Sequence, residues 1–107
     1  MDIGSIRERI LSGKYVVSFT HTEKLRRRRI ALETVEEVVR VGQIIEEYPL
    51  DPRGPSCLIF GVASTGRPIH VVCGNLESEE ILIITAYEPT PEEWELDWKT
   101  RKKGNKP

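Results

Sequence analysis

The sequence contains few of the residues from which metal sites and disulfides are built. Its 107 residues include two cysteines and two histidines, and Cys57 and Cys73 stand apart in apolar segments without a CxxC or histidine-rich spacing. We therefore expect no zinc site, and we interpret both thiols as buried packing residues of a protein from a reducing compartment. A glycine-rich nucleotide loop, a nucleophile elbow and an HExxH motif are also missing, so we expect no metal and no other cofactor.

Long apolar runs and an excess of one charge are absent as well. The longest apolar run is far below the roughly 20 residues that cross a bilayer, and Asp2, Arg7, Glu8 and Arg9 interrupt the stretch that a signal peptide would need. These features predict a cytoplasmic protein without a membrane partner. Because the net charge is −1, attraction to an anionic partner must come from a local cluster.

What is present describes one ordinary folded domain. The chain is 38% hydrophobic and 31% charged, which fits a packed core beneath an ionised surface, and its length suffices for one core but not for two. We predict a single domain over residues 1–98. Residues 99–107 are rich in lysine and include glycine and proline, so we expect a flexible basic tail there.

Capping patterns and apolar spacing predict helices in the N-terminal half. A capping box that begins at Ser5 precedes an apolar stripe ended by a glycine. A second capping box, beginning at Thr34, accompanies apolar residues at helical spacing, and Gly42 ends that element. Between the two helices we expect a short strand over residues 15–20 and a basic helix over residues 21–29.

From residue 43 onward the apolar period changes to two, which indicates strands. The predicted strands cover residues 43–48, 57–64, 68–74 and 81–87. Short connections rich in turn residues imply antiparallel neighbours. The expected fold is α+β, with a four-stranded antiparallel meander sheet, plus the short N-terminal strand, packed against the N-terminal helices. After the sheet, a capping box with Trp94 and Trp98 four residues apart predicts a short closing helix docked by both rings.

One segment concentrates positive charge. Residues 24–29, KLRRRR, hold five cations within six residues, and on a helix Leu25 would be their main inward contact. The cluster is either a solvated helix face, partly paired with nearby glutamates, or a phosphate-binding surface, since guanidinium groups match phosphate oxygens in pairs. Acidic pairs such as Glu46 and Glu47 stand at element edges, where we expect solvated charges.

The two histidines are the candidate acid–base residues. His70 interrupts an apolar strand, and we expect it to pair across from Gly61, with Thr85 and Tyr87 on the same side of the sheet. It is either a satisfied core histidine bonded to a backbone carbonyl or part of a polar site. His21 stands where the first strand meets the basic helix, and it either caps that helix or acts as an acid or base.

Three segments together resemble the domain of unknown function 4258 family: FTHTEKLRRRRI at residues 19–30, GRPIHVV at residues 66–72 and IITAYEP at residues 83–89. An acidic, capped helix lies between the first two segments. That family resembles small toxin-like proteins of the RelE and BrnT kind, whose helices pack on a curved antiparallel sheet and which are grouped by fold with metal-independent ribonucleases. The resemblance therefore implies a RelE-like fold.

The resemblance also implies an endoribonuclease that cleaves RNA by acid–base catalysis. A base removes the ribose 2′-hydroxyl proton, the oxygen attacks the adjacent phosphorus, and an acid protonates the leaving 5′-oxygen while cations hold the phosphate. The candidate catalytic residues are His21, His70 and Tyr87, and the candidate phosphate- and RNA-binding residues are Arg26, Arg28, Arg29 and Arg67.

Two other functions fit the same sequence. A non-catalytic module would hold RNA or an acidic protein partner on the arginine helix and the lysine-rich tail. The net charge of −1 mildly favours this interpretation, because few non-specific contacts would add to affinity for nucleic acid. Alternatively, an exposed edge among the apolar strands would pair with a second copy of the chain or with an antitoxin.

Overall fold

The computed structural model describes residues 2–17 and 19–102, without the side chains of residues 19–21. Within this part the chain forms three helices and five strands. They are α1 (Ile3–Leu11), β1 (Tyr15–Val17), α2 (Phe19–Arg27), α3 (Leu32–Val41), β2 (Gln43–Tyr48), β3 (Ser56–Val62), β4 (Pro68–Gly74) and β5 (Ile81–Tyr87).

The five strands form one mixed sheet in the order β1-β5-β4-β3-β2. β2 to β5 are antiparallel neighbours in chain order, so the predicted α+β fold and its antiparallel succession are confirmed. The predicted four-stranded sheet needs a correction, because β1 joins as a fifth strand that runs parallel to β5. β2, β4 and β5 have the bounds that the alternation of apolar residues between turns predicted, whereas β3 begins and ends earlier than predicted.

The two faces of the sheet have different covers. The helix-facing side carries the main core, in which buried side chains of α1, α2 and α3 meet apolar residues of β3, β4 and β5. The opposite side carries Leu58 and His70, both buried, and the chain after β5 covers it. The sheet is therefore enclosed on both sides near His70.

A bulge in β5 decides which of its side chains face the helices. Val72 pairs with Thr85 and the next residue, Cys73, pairs with Ile83, so Ile84 is an extra residue in the ladder. Burial follows this change: Ile83 is buried before the bulge and Ala86 after it. The phase shift turns the last part of β5 so that Thr85 and Tyr87 lie on the side opposite the main core.

The three helices predicted for the N-terminal half are present, but none of them begins at its predicted residue. Asp2 rather than Ser5 caps α1 with its carboxylate. Helix α3 begins at Leu32 after Ala31, which makes no side-chain cap bond, so the predicted capping box at Thr34 is wrong. The buried valines of α3 supply its stability instead, since packing of an apolar face outweighs a missing cap.

The first strand is shorter than predicted, because β1 ends at Val17 and α2 already begins at Phe19. Aromatic and β-branched composition had favoured a strand up to residue 20. Leu25 is buried in the core as predicted, and β1 pairs with three residues of β5. Tertiary contacts thus override local propensity at this boundary.

The predicted closing helix over residues 90–98 is wrong. Residues 94–101, which we call the C-terminal strap, form a tight loop in which Trp94 and Arg101 are bridged. Asp97 accepts hydrogen bonds from the backbone N–H groups of Lys99 and Thr100. This turn chemistry competes with helical hydrogen bonding.

The ordered chain continues past the predicted boundary at residue 98. Arg101 is only about one-fifth exposed and forms an ion pair with Glu46. Residues 103–107 lie outside the described part of the chain, so the flexible basic tail stays a prediction for them.

Both cysteines are buried and free, and they lie opposite each other on β3 and β4. Burial raises the pKa of the Cys57 thiol to about 12 and raises that of Cys73 still further. The prediction that both thiols are packing residues is confirmed. Among the described residues, the helices are too short and too polar to cross a membrane.

Candidate functional site

The basic segment forms an exposed surface at the end of α2. The side chains of Lys24 and of residues 26–29, which we call the arginine surface, are exposed, while Leu25 and Ile30 anchor the segment in the core. The Arg26 side chain is 75% exposed and stands 3.6 Å from the Glu23 carboxylate. An exposed pair of this kind contributes little stability, and the five cations of this surface outnumber the one carboxylate of Glu23, so the surface carries an excess of positive charge.

The end of α2 adopts a Schellman motif with an arginine in the position that glycine usually takes. The backbone N–H of Ile30 donates to Leu25 O and that of Arg29 donates to Arg26 O, while Arg29 has a φ of 56°. The paired burial of Leu25 and Ile30 is the apolar contact that accompanies this motif. A side chain in the left-handed region costs about 1 kcal/mol relative to glycine. Arginine at position 29 is therefore less favourable for the local backbone than glycine would be.

Arg67 fixes the end of α2 from the turn before β4. Its Nη1 donates to Arg29 O and its Nη2 to Arg28 O, both at 2.7 Å, and its Nε donates to Glu88 Oε1 at 2.6 Å. These bonds use three donors of the guanidinium fork and pair its charge with a carboxylate. The structure therefore places this predicted phosphate ligand as a residue that positions the arginine surface.

Arg28 connects the arginine surface to β5. Its Nη1 donates to Thr85 Oγ1 at 2.9 Å and to Ala86 O at 2.7 Å. β1 pairs only with Ile81, Leu82 and Ile83, so Arg28 binds the part of this strand edge that β1 does not reach. Both of its acceptors are neutral, which leaves the positive charge of Arg28 uncompensated by these bonds.

His70 is fully buried and both of its ring nitrogens have partners. Nε2 lies 2.7 Å from Trp98 O, and Nδ1 lies 3.3 Å from the Tyr87 hydroxyl. Since a carbonyl can only accept, Nε2 carries the proton and Nδ1 accepts from Tyr87. His70 pairs with Phe60 and Tyr87 across the strands, which corrects the predicted pairing with Gly61 by one residue.

Aromatic rings enclose the imidazole. The Trp94 ring stands edge-on to it at a centroid distance of 4.5 Å, and the rings of Tyr87 and Phe60 stand at 5.3 and 5.8 Å. Burial lowers the pKa of His70, although its bond to the Trp98 carbonyl and the charge of Glu46 oppose this. His70 is thus a neutral, satisfied core histidine rather than a residue of an open cleft.

Sequence reasoning missed the ion pair beside His70. Arg101 Nε and Nη2 donate to the two carboxylate oxygens of Glu46 at 2.8 and 3.1 Å, and Tyr48 donates to the same carboxylate. The Arg101 guanidinium also lies 4.6 Å from the Trp94 ring centroid.

We call His70, Tyr87, Glu46, Tyr48 and Arg101 the His70 network. Alternation along β2 was the available signal, because it places Glu46 and Tyr48 on one face.

These groups shift one another's pKa values. Partial burial acts to raise the pKa of Glu46, but hydrogen bonds from Arg101 and Tyr48 hold it below its usual value. Burial, followed by the neighbouring Glu46, raises the pKa of Tyr48, and burial likewise raises that of Tyr87. At neutral pH Glu46 is therefore ionised and both tyrosines keep their protons.

The structure brings some predicted site residues together and leaves others apart. His70 and Tyr87 are neighbours as expected, and Thr85 links that strand to Arg28. The His21 side chain lies outside the described part of the chain, so its approach to His70 stays a prediction. Among the described residues there is also no group of three metal-ligating side chains.

Comparison with known proteins gives one family match. The model of a domain of unknown function, DUF4258, matches residues 21–88, which is more than half of the chain. The matched region begins in α2 and ends after β5, so it contains the arginine surface and His70 but excludes the C-terminal strap. No curated protein and no solved structure shows a significant match.

Proposed function

Since this chain belongs to the DUF4258 domain family, we propose that it is a toxin-like, RelE- and BrnT-related protein that binds RNA on its arginine surface. In the form described here it is a binding module rather than a nuclease. Phosphate oxygens would accept paired hydrogen bonds from the guanidinium groups of Arg26, Arg28 and Arg29. The helices packed on a largely antiparallel sheet support the RelE-like part of the proposal.

The observation that carries this proposal is the left-handed backbone of Arg29 within four consecutive exposed arginines. A helix that only had to end would be more stable with glycine at this position. Residues held in such conformations concentrate where a side chain or backbone serves a function. We infer that Arg29 is present because its guanidinium group binds a ligand.

A solvated helix face is the competing explanation, because cations near a helix C-terminus also interact favourably with the helix dipole. That effect is worth only a few tenths of a kcal/mol to about 1 kcal/mol. It does not require four arginines in succession, nor one in the left-handed region. The Arg67 fork, which holds the backbone carbonyls of Arg28 and Arg29 in place, further favours a surface of fixed geometry.

Salt-dependent binding tests the proposal. We would measure the fluorescence anisotropy of a labelled single-stranded RNA between low and physiological salt, with the parent and the double variant Arg26→Gln/Arg29→Gln. Each lost phosphate contact removes about 0.7 from the slope of log affinity against log salt, so the double variant should lose about 1.4. The matched control Arg40→Gln/Arg53→Gln removes two exposed arginines elsewhere and should leave the slope unchanged. Binding that ignores salt, or equal losses in both variants, would contradict the proposal.

A metal-independent endoribonuclease is the second candidate function. It is favoured by the last part of β5, where Tyr87 is hydrogen-bonded to His70 and Thr85, two residues earlier on the same strand, accepts a hydrogen bond from Arg28 of the arginine surface. A buried base cannot reach a ribose hydroxyl, however, because acid–base catalysis requires hydrogen-bond contact with the substrate. This function therefore depends on a movement that exposes His70.

A further inference from the structure

The C-terminal strap is attached to the sheet mainly by side chains. Its described backbone hydrogen bonds run within the loop and the residues next to it, including Glu95 N–H to Thr100 O at 2.8 Å and Trp98 N–H to Glu95 O at 2.9 Å. Contact with the sheet comes from the Trp94 ring and from the Arg101 ion pair. A segment held in this way can open without breaking the strand ladder.

The strap covers His70 from two positions. Trp94, which is 2% exposed, places its ring against the imidazole, and the Trp98 carbonyl accepts the Nε2 proton at 2.7 Å. The second contact also sets the tautomer, because it keeps the proton on Nε2 and leaves the lone pair on Nδ1, where the Tyr87 hydroxyl occupies it. In the closed strap, neither nitrogen can accept a proton from a substrate.

Two features indicate that the closed strap is only moderately stable. Trp98 has a φ of 60°, a conformation that is unusual for a bulky side chain and is associated with switch regions. Most of the strap is exposed, and Leu96 at 87% exposure adds no burial. Few buried apolar contacts hold the segment down, which is typical of units that open locally.

The strap also lies outside the region that the family model matches, which ends at residue 88. His70, Tyr87 and the arginine surface lie within it. The covering of His70 therefore comes from a segment that follows the matched region.

We propose that the C-terminal strap is an autoinhibitory lid whose opening exposes His70 as a base next to RNA held on the arginine surface. This inference rests on the proposed RNA binding and names the regulation of that site. Once Trp98 is displaced, the imidazole adopts the other neutral tautomer, in which Nδ1 donates to Tyr87 and the Nε2 lone pair faces solvent.

The chemistry then needs no cofactor. Nε2 of His70 takes the proton of a ribose 2′-hydroxyl, and the 2′-oxygen forms a bond to the adjacent phosphorus. The bond from phosphorus to the 5′-oxygen breaks, which leaves a 2′,3′-cyclic phosphate. The 5′-oxygen takes a proton from solvent, and His70 returns its proton to solvent. The arginine surface holds the phosphate during this transfer.

Chemical modification of His70 tests whether the lid opens. In the His21→Gln chain, His70 is the sole histidine, so diethyl pyrocarbonate reports its exposure alone. The double variant Glu46→Gln/Arg101→Gln removes the ion pair without leaving an unpaired charge, and it should increase the modification rate about tenfold, as the loss of one charge-assisted pair implies. The control Arg53→Gln removes the exposed pair with Asp51 and should not alter the rate. Equal rates of His70 modification in all three chains would contradict the proposal that the strap is a lid.

Hydrogen exchange of the parent chain supplies a measurement that does not depend on a variant folding. The backbone N–H groups of Trp98 and Thr100 should exchange through local opening, much faster than those of β3 and β4. If the backbone N–H groups of the strap exchange as slowly as those of β3 and β4, the proposal that the strap is a lid is contradicted.

Cleavage of single-stranded RNA, measured with His21 intact and without added metal, tests what the lid covers. The Glu46→Gln/Arg101→Gln variant should cleave about tenfold faster than the parent, because cleavage requires the same opening that exposes His70, and adding His70→Gln should abolish the gain. Faster modification of His70 without faster cleavage would overturn the catalytic part. If the parent chain does not bind RNA, the proposed function itself is contradicted, so the two failures are distinguishable.

Discussion

The arginine surface and the His70 network contain the same kinds of polar group, but the fold uses them differently. On the arginine surface the guanidinium groups of Arg26 and its neighbours are exposed and weakly paired. In the His70 network, the imidazole, the carboxylate of Glu46 and the guanidinium of Arg101 all have close partners. Exposed and weakly paired charges are available to a ligand, whereas buried groups with close partners are already engaged in holding the structure together.

This contrast explains why residue type alone does not identify a site. A histidine is the usual acid–base residue, yet His70 is enclosed and held as a neutral base with both nitrogens occupied. An arginine at a helix end is usually only a solvated charge, yet Arg29 adopts a backbone conformation that favours glycine. The surroundings of each residue separate the two roles.

The largest effect that separates the two regions should follow from His70→Ala. The change leaves a cavity among three aromatic rings and removes the hydrogen-bond partners of Trp98 and Tyr87, so we expect a loss of about 3 kcal/mol in the free energy of unfolding. Urea denaturation measures this loss. RNA binding at a temperature where the variant is folded should remain at the parent level. A loss below about 1 kcal/mol would show that the network does not stabilise the fold as described.

A smaller effect should follow from Arg67→Gln, which removes two hydrogen bonds to the end of α2 and the ion pair with Glu88. We expect a loss of about 1 to 2 kcal/mol in unfolding free energy, together with a modest fall in RNA affinity because the arginine surface loses its support. Arg67→Lys should not rescue either quantity, since an ammonium group cannot reproduce the fork. If Arg67→Gln weakens binding strongly and leaves stability unchanged, Arg67 contacts phosphate directly.

The pH dependence of stability should reveal the His70 network and not the arginine surface. Since the pKa of His70 in the folded protein is below its usual value, the unfolded chain takes up the proton first as pH falls. Stability should therefore be constant above about pH 6.5 and decrease below it, with a slope of at most about 1.4 kcal/mol per pH unit. The groups that face His70 are Tyr87 from β5, the Trp98 carbonyl and Arg101 from the strap, and Glu46 from β2.

Thermal unfolding between pH 5.5 and 7.5 measures this slope. His70→Gln should remove it, and His21→Gln should retain it. If the slope of stability against pH remains in the His70→Gln variant, a group other than His70 is responsible for the titration.

The sheet was the part of the fold that local sequence could predict. Alternation bounded by proline, glycine and asparagine placed β2, β4 and β5, and the inward position of Leu25 followed from its isolation among cations. The β5 bulge left Tyr87 opposite His70, which sequence alone could approach only to within one residue. Bulges depend on the partner strand, and that partner is not encoded in a single segment.

The candidate site was less predictable because it depends on contacts between distant residues. Glu46 and Arg101 are 55 positions apart, and each resembled a solvated charge in its own segment. The closing helix was mistaken because Asp97 supplies a turn that competes with the capping pattern before it. The cover over His70 follows from both of these contacts, so no local pattern could indicate it.

The most direct test of the account compares Arg29→Gly with Arg29→Gln. Both changes remove the guanidinium group, and both should weaken RNA binding to the same extent with a shallower salt dependence. Only the glycine relieves the left-handed backbone, so Arg29→Gly should raise the free energy of unfolding by about 1 kcal/mol while Arg29→Gln leaves it nearly unchanged. A glycine variant that gains stability and binds RNA as well as the parent would contradict the claim that Arg29 is kept for binding.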